Sequence, residues 1–307
     1  MRTENFLIWT MKIGTVFKQA LALPILFFFL PISISCNGDV EKEYSETGIK
    51  EELSATEYAV NIAGTSGNLS AIVYHPDLRP GDTSPMVILM HGFMSDKRDR
   101  VVNAVAARLR QANIAYVRFD FNGHGESEGD FQNMTVIKEI EDAQSVYEYV
   151  QTLDYVDEVA LLGHSQGGVV AGMLAGKLGA ERISRLVLMS PAAVLRDNAL
   201  DGIMFGVRFD PDNIPEYITV FGHRVGRAYL QTAQNLPIYE TVAQYTGKIC
   251  IIHGTEDSIV PYSYGVRFSE DNENAIVHLI EGDDHAFSRY LDEAATTAAE
   301  FLSGIGK

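Results

Sequence analysis

The sequence predicts an α/β fold: a mainly parallel sheet of eight strands, helices on both faces, and a cap inserted between two of the strands. Three observations predict it. Short apolar runs alternate with segments of helical spacing from residue 56 to residue 301. The runs at 86–90 (MVILM) and 249–252 (ICII) carry no charged position, as expected of strands covered on both faces. The alternation lapses once, between about 192 and 246, in a stretch with more aromatic residues than a linker would hold.

Each element follows in order. Residues 57–62 and 69–75 alternate on either side of Gly64-Thr65-Ser66-Gly67 and read as a hairpin. Strand 86–90 leads to a helix over 101–109, and strand 115–121 to a helix over 136–150, with Ile137, Ile140 and Val146 on one face. Strand 159–162 leads to a helix over 167–178, then strand 186–189. After the lapse come strand 249–252, a helix around 263–269, strand 275–280 and a last helix over 289–301. The cap, 192–246, contains Pro211, Pro215 and Pro237 and shows no strand pattern. It is expected to roof the carboxyl ends of the strands, the edge at which open α/β sheets bind ligands.

Composition narrows the function. Of 307 residues, 46% are hydrophobic, enough for a large core. Acidic residues outnumber basic ones, 41 to 24, and the net charge of −17 argues against nucleic acid or an anionic membrane surface as a partner. The two cysteines, Cys36 and Cys250, make no disulfide framework, and Cys250 reads as a buried inert thiol in a strand. No Cys/His cluster has zinc spacing and no GxGxxG or Walker loop is present, so neither metal nor cofactor is expected. The oligomeric state stays open, a dimer included.

The N-terminus reads as an address. Residues 18–36, KQALALPILFFFLPISISC, carry a basic flank, a short apolar run and small residues before Cys36. Pro24 and Pro31 break the run, which is short for a membrane span. The expected organisation is a signal peptide over 1–36, a flexible acidic tether over 37–55 and a folded domain over 56–303. Met11 followed by Lys12 makes a more ordinary signal start than Met1, because Glu4 lies upstream. Ser35-Cys36 resembles the lipobox of bacterial lipoproteins, with Ser33 where a leucine is usual. That resemblance implies lipidation of Cys36 and an exported protein anchored on the periplasmic side or at the cell surface. An ordinary secretory signal cleaved nearby is the alternative.

The chemistry is written in three loops. Gly163-His164-Ser165-Gln166-Gly167 is G-x-S-x-G, placed between an apolar strand and a helix. Glycines allow a sharp turn that lifts the hydroxyl out of the strand end, and the following helix aims amides at developing negative charge. A serine needs a general base, and the base needs a carboxylate. Asp257 follows strand 249–252 and His285 follows strand 275–280, so both fall at the same sheet edge as Ser165, in the order Ser, acid, His. Ser165, Asp257 and His285 are the expected triad; Glu256 is the rival acid, and Asp283 and Asp284 are placed to hydrogen-bond locally instead. His91 and His253, each before a glycine at a strand end, are expected to shape turns. His91-Gly92-Phe93 follows the third strand, so the amides of Phe93 and Gln166 are the expected oxyanion donors. The turn Asp120-Phe121-Asn122-Gly123-His124-Gly125-Glu126-Ser127 reads as structural.

Together HGF at 91–93, the DFNGHGES turn, GHSQGG at 163–168, HGTED at 253–257 and DDH at 283–285 resemble α/β-hydrolase fold esterases, over essentially the whole of 56–301. Within them the chain is most similar to bacterial cinnamoyl or feruloyl esterases, which share the GHSQGG elbow and a cap of this length. The resemblance implies a serine esterase without a cofactor, acting on hydroxycinnamate esters of plant cell-wall sugars or quinic acid. It also implies that Asp197 and Tyr229, early and late in the cap, contact the phenolic hydroxyl. The alternatives are a general carboxylesterase or acylglycerol lipase, a peptidase with the same triad, and a non-catalytic surface-binding protein on this scaffold.

Overall fold

The computed structural model describes residues 56–304. The signal peptide, Cys36 and the tether all lie outside the described residues.

The hairpin forms as strands β1 (Thr56–Gly64) and β2 (Gly67–His75). Then come β3 (Ser84–Met90), α1 (Arg100–Gln111), β4 (Ala115–Phe119), α2 (Val136–Val150), β5 (Val156–His164), α3 (Gln166–Leu178) and β6 (Arg185–Met189). After the cap the chain returns through β11 (Lys248–Gly254), α7 (Tyr262–Arg267), β12 (Ala275–Ile280) and α8 (Leu291–Ser303). The sheet has eight strands in the order β1-β2-β4-β3-β5-β6-β11-β12. Only the β1–β2 and β2–β4 pairs are antiparallel; the rest are parallel. Strands β3 and β5 are central, which explains why their apolar runs are unbroken: helices cover both faces, and Val87, Ile88, Leu89, Leu161 and Leu162 are fully buried.

Two expectations about elements are corrected. Ile137 does not share the buried face of α2; it is exposed, and the buried stripe runs through Val136, Ile140, Ala143, Val146, Tyr147 and Val150. Thr135 caps that helix, its hydroxyl accepting from the Lys138 amide. The cap also holds strands. It comprises α4 (Val194–Leu200), β7 (Ile203–Met204), β8 (Val207–Arg208), β9 (Tyr217–Val220), β10 (His223–Gly226), α5 (Arg227–Gln234) and α6 (Ile238–Val242). β7–β8 and β9–β10 are two-stranded hairpins. Strands of two and four residues are too short to display a period of two. Cys250 is fully buried in β11, and burial pushes its thiol up to about 12, so it stays protonated.

Candidate active site

Ser165 sits between β5 and α3 with φ 56° and ψ −121°, a conformation that L-residues adopt only when their surroundings impose it. Its amide donates to the Met189 carbonyl on β6, and its own carbonyl accepts from Gly168 and Ala192. Two glycines are required by contact. A Cβ on Gly163 would lie against the backbone of Gly167 and Gly168, and one on Gly167 against the carbonyls of Met90 and His91.

His285 and Asp257 arrive from the loops after β12 and β11. The Ser165 hydroxyl lies 2.9 Å from His285 Nε2, and His285 Nδ1 lies 2.7 Å from Asp257 Oδ2. In the tautomer this network requires, Ser165 donates to Nε2 while Nδ1–H donates to the carboxylate. The neighbouring carboxylates are engaged away from His285. Glu256 pairs with Arg289 at the surface, Asp283 accepts from the amides of Asp284, Arg289 and Tyr290, and Asp284 accepts from Ala286 and Ser288.

Asp257 has more partners than the sequence suggested. Oδ1 accepts from the amides of Ile259 and Val260 at 2.9 and 2.8 Å. Oδ2 accepts a second imidazole, His253 Nε2–H at 3.0 Å, besides His285. His253 therefore does more than shape a turn: it clamps the carboxylate from behind. Burial alone would raise the Asp257 carboxyl, but the hydrogen bonds from His253 and His285 outweigh it and hold it well below the usual carboxylate range. His164, buried beside the pair, donates Nε2–H to the His285 carbonyl at 3.0 Å and fixes that loop. Burial lowers the His164 pKa, so the ring stays neutral next to His285.

The opposite wall carries the two expected donors. Among the described residues, no backbone acceptor claims the amide of Phe93 or of Gln166. His91 holds the Phe93 loop in place: Nδ1–H donates to the Gly92 carbonyl and Nε2 accepts from the Phe121 amide. The glycine turn is structural, as expected. Its buried Asp120 accepts from the Lys97 amide, the Lys97 ammonium and the Glu126 amide.

A cavity of about 210 Å³ opens above Ser165, between sheet edge and cap. Its walls are mostly apolar, with Phe93, Leu195, Met204, Phe205, Leu230 and Val260 against a few polar groups from Gln166, Asn198 and Ser258.

Residues 81–209, under half of the chain, match the family model described as serine aminopeptidase, S33. Est1E from Butyrivibrio proteoclasticus, solved with ferulic acid bound, is 31% identical, with a TM-score of 0.75 over 80% of this chain and 98% of that one. The chain belongs to the α/β-hydrolase fold serine esterases. Among curated proteins, this esterase is 22% identical to the bovine mitochondrial palmitoyl-protein thioesterase ABHD10, over 68% of its own length and 69% of that protein. The mouse α/β hydrolase domain-containing protein 10 shares the fold at 19% identity and a TM-score of 0.61, covering 81% of the esterase and 98% of that chain.

The structure separates the two cap residues of the esterase. Asp197 does not line the cavity; its Oδ2 accepts from the Tyr264 hydroxyl at 2.7 Å near the surface. The next residue on α4, Asn198, faces the cavity instead. Tyr229 does line it, and its hydroxyl donates to Gln166 Oε1 at 2.7 Å, which leaves the phenol oxygen as an acceptor. The helical phase of α4 and the reach of the Tyr229 phenol to α3 are tertiary facts that the spacing of the cap sequence does not carry.

Sequence reasoning also missed Glu139. Gln166 Nε2 donates to Glu139 Oε2 at 2.7 Å, so Tyr229, Gln166 and Glu139 form a buried chain behind the elbow. Burial pushes the Glu139 carboxyl up to about 8, against the lowering effect of the Gln166 hydrogen bond and with Asp142 adding to the rise. In the unfolded chain a glutamate titrates near about 4.3. Between those values the folded state keeps a proton that the unfolded state has lost. The stability from the neutral acid is therefore complete below the ordinary glutamate range and falls by about 1.4 kcal/mol per pH unit as pH rises towards 8. Glu139→Gln should remove this slope. Denaturant titrations of both proteins from about pH 5 upward check it: the variant gains on the parent as pH rises, whereas parallel curves would show that Glu139 is ionised throughout.

Proposed function

We propose that this esterase hydrolyses esters of hydroxycinnamic acids through an acyl-enzyme on Ser165. The hydrogen-bonded run from Ser165 through His285 to Asp257, at the floor of an apolar cavity, carries the mechanism. His285 Nε2 takes the hydroxyl proton as Oγ attacks the ester carbonyl. Negative charge forms on the carbonyl oxygen, within reach of the Phe93 and Gln166 amides. Asp257 holds the imidazolium. The protonated His285 then gives its proton to the departing alkoxide. Water, deprotonated by the same nitrogen, attacks the acyl-enzyme, and His285 returns that proton to Ser165 Oγ as the acid leaves.

Support for the acyl group comes from Est1E, which holds ferulic acid and matches this chain over 98% of its own length. An aliphatic acyl group is the second reading, favoured by one observation: Leu195, Met204, Leu230 and Val260 line the cavity and the Tyr229 hydroxyl is engaged by Gln166. Comparing kcat/KM for methyl ferulate with that for p-nitrophenyl butyrate separates the two. Preference for the ferulate is expected; activity on the butyrate alone would discard the hydroxycinnamate reading and leave the esterase.

A further inference from the structure

The two cap hairpins end in the same unusual way. β7 and β8 are joined by Phe205-Gly206, with φ 46° and 80°. β9 and β10 are joined by Phe221-Gly222, with φ 49° and 85°. Both are two-residue turns with positive φ at each central position, the type I′ geometry, for which Asn-Gly is the favoured pair. A glycine at the second position meets that demand. A phenylalanine at the first does not, because its Cβ is crowded in the left-handed region. Turn chemistry therefore disfavours the residue that occurs at both tips, and an outlier of this kind points to a use for the side chain.

The two rings meet. Their centroids are 5.4 Å apart, and Phe205 stacks on Phe93 at 5.6 Å with an interplanar angle of 19°. Phe93 in turn lies 5.9 Å from Tyr229. An aromatic row thus runs from the loop beside Ser165 out to solvent. Phe205 lines the cavity and is 43% exposed; Phe221 does not line it and is 72% exposed. A ring so exposed is poorly explained as core, since little of its apolar surface is withdrawn from water.

The cavity itself sets what must lie beside these rings. At about 210 Å³ it falls below the 300–1,000 Å³ typical of sites that enclose a whole drug-sized ligand. A larger ester would extend past it, beside the half-exposed Phe205 ring. We propose that Phe205 and Phe221 form an outer subsite that stacks a ring carried by the alcohol half of the substrate, such as an aryl ring or the C–H face of a sugar. This rests on the reading of the cavity as the acyl site. Aromatic faces favour such offset contacts, and placing the site on two turn tips leaves one face open to a group of variable length beyond the ester oxygen.

Phe221→Gly is the informative variant, because glycine relieves the positive φ and the turn is retained. The probes are the benzyl and ethyl esters of one short acid, whose leaving alcohols are of similar acidity. The expected result is a fall of fivefold or more in the benzyl-to-ethyl ratio of kcat/KM, carried by KM, with the ratio restored in Phe221→Tyr. Ile276→Ser, which alters another exposed apolar residue on edge strand β12, should leave the ratio as it is. An unchanged ratio in Phe221→Gly would overturn the outer subsite. So would a change that appears only between 3-phenylpropanoate and butyrate esters of one alcohol, which would place the ring on the acyl side. Neither result touches the hydroxycinnamate reading, which is decided by the ferulate comparison on the unaltered protein.

Discussion

Ser165→Ala should lower kcat/KM for any ester by about 10⁵- to 10⁶-fold, while the protein unfolds at the same denaturant midpoint. The size follows from what is removed. The imidazole and the amides of Phe93 and Gln166 remain, but no group is left to form the acyl-enzyme, and water must attack directly. The fold survives because alanine keeps the Cβ that the turn at φ 56° already accommodates, and because the backbone bonds to Met189, Gly168 and Ala192 do not involve the hydroxyl. Labelling by a fluorophosphonate should disappear with the activity. A variant that retains a tenth of the parent's turnover would remove Ser165 from the mechanism, whereas a parent that does not label at all would favour the non-catalytic surface-binding alternative.

Asp257→Asn is expected to lower kcat by about 10⁴-fold with a smaller change in KM. The aspartate accepts from four donors and donates to none. The asparagine amide must place an N–H₂ on one side. If it faces the two imidazoles, His285 turns to the tautomer whose Nε2 carries hydrogen, and that nitrogen no longer accepts the serine proton. If it faces the other way, the amides of Ile259 and Val260 lose their acceptor and the loop that holds the side chain is disturbed. The variant should also differ from the parent in acid. Because the folded-state carboxyl is held below its ordinary value, its contribution to stability is present above the ordinary aspartate range and is lost as pH falls through the lowered value. The parent should therefore lose stability on acidification more steeply than the variant. Activity within tenfold of the parent would mean that the carboxylate does not set the tautomer.

How far the site was legible depended on how local its causes are. Ser165 could be read because strand, glycine turn and helix lie within about twenty residues, and each leaves its own pattern. Asp257 and His285 could be read because each follows an apolar strand, and parallel strands deliver their loops to one edge. His253 could have been found: it stands four residues before Asp257, at the end of the same strand, and a loop that turns back brings the two together. Glu139 left no comparable mark. Nothing in the helical pattern over 136–150 distinguishes a glutamate aimed at α3 from one aimed at solvent. The cap was least legible, since its strands of two and four residues span at most two repeats of the alternation that would announce them and its turns use phenylalanine where asparagine is usual.

The sequence by itself determined the α/β architecture, the eight-stranded sheet and the three loops that meet at its edge. All of these follow from periodicity and turn chemistry acting over a few residues at a time. Only the tertiary structure decided which carboxylate reaches His285, that Glu139 and Tyr229 brace the elbow through Gln166, and that Asn198 rather than Asp197 faces the cavity. Those outcomes depend on helix phase and on side chains tens of residues apart coming within 3 Å, and hydrogen bonds of that range are specified by packing rather than by spacing along the chain.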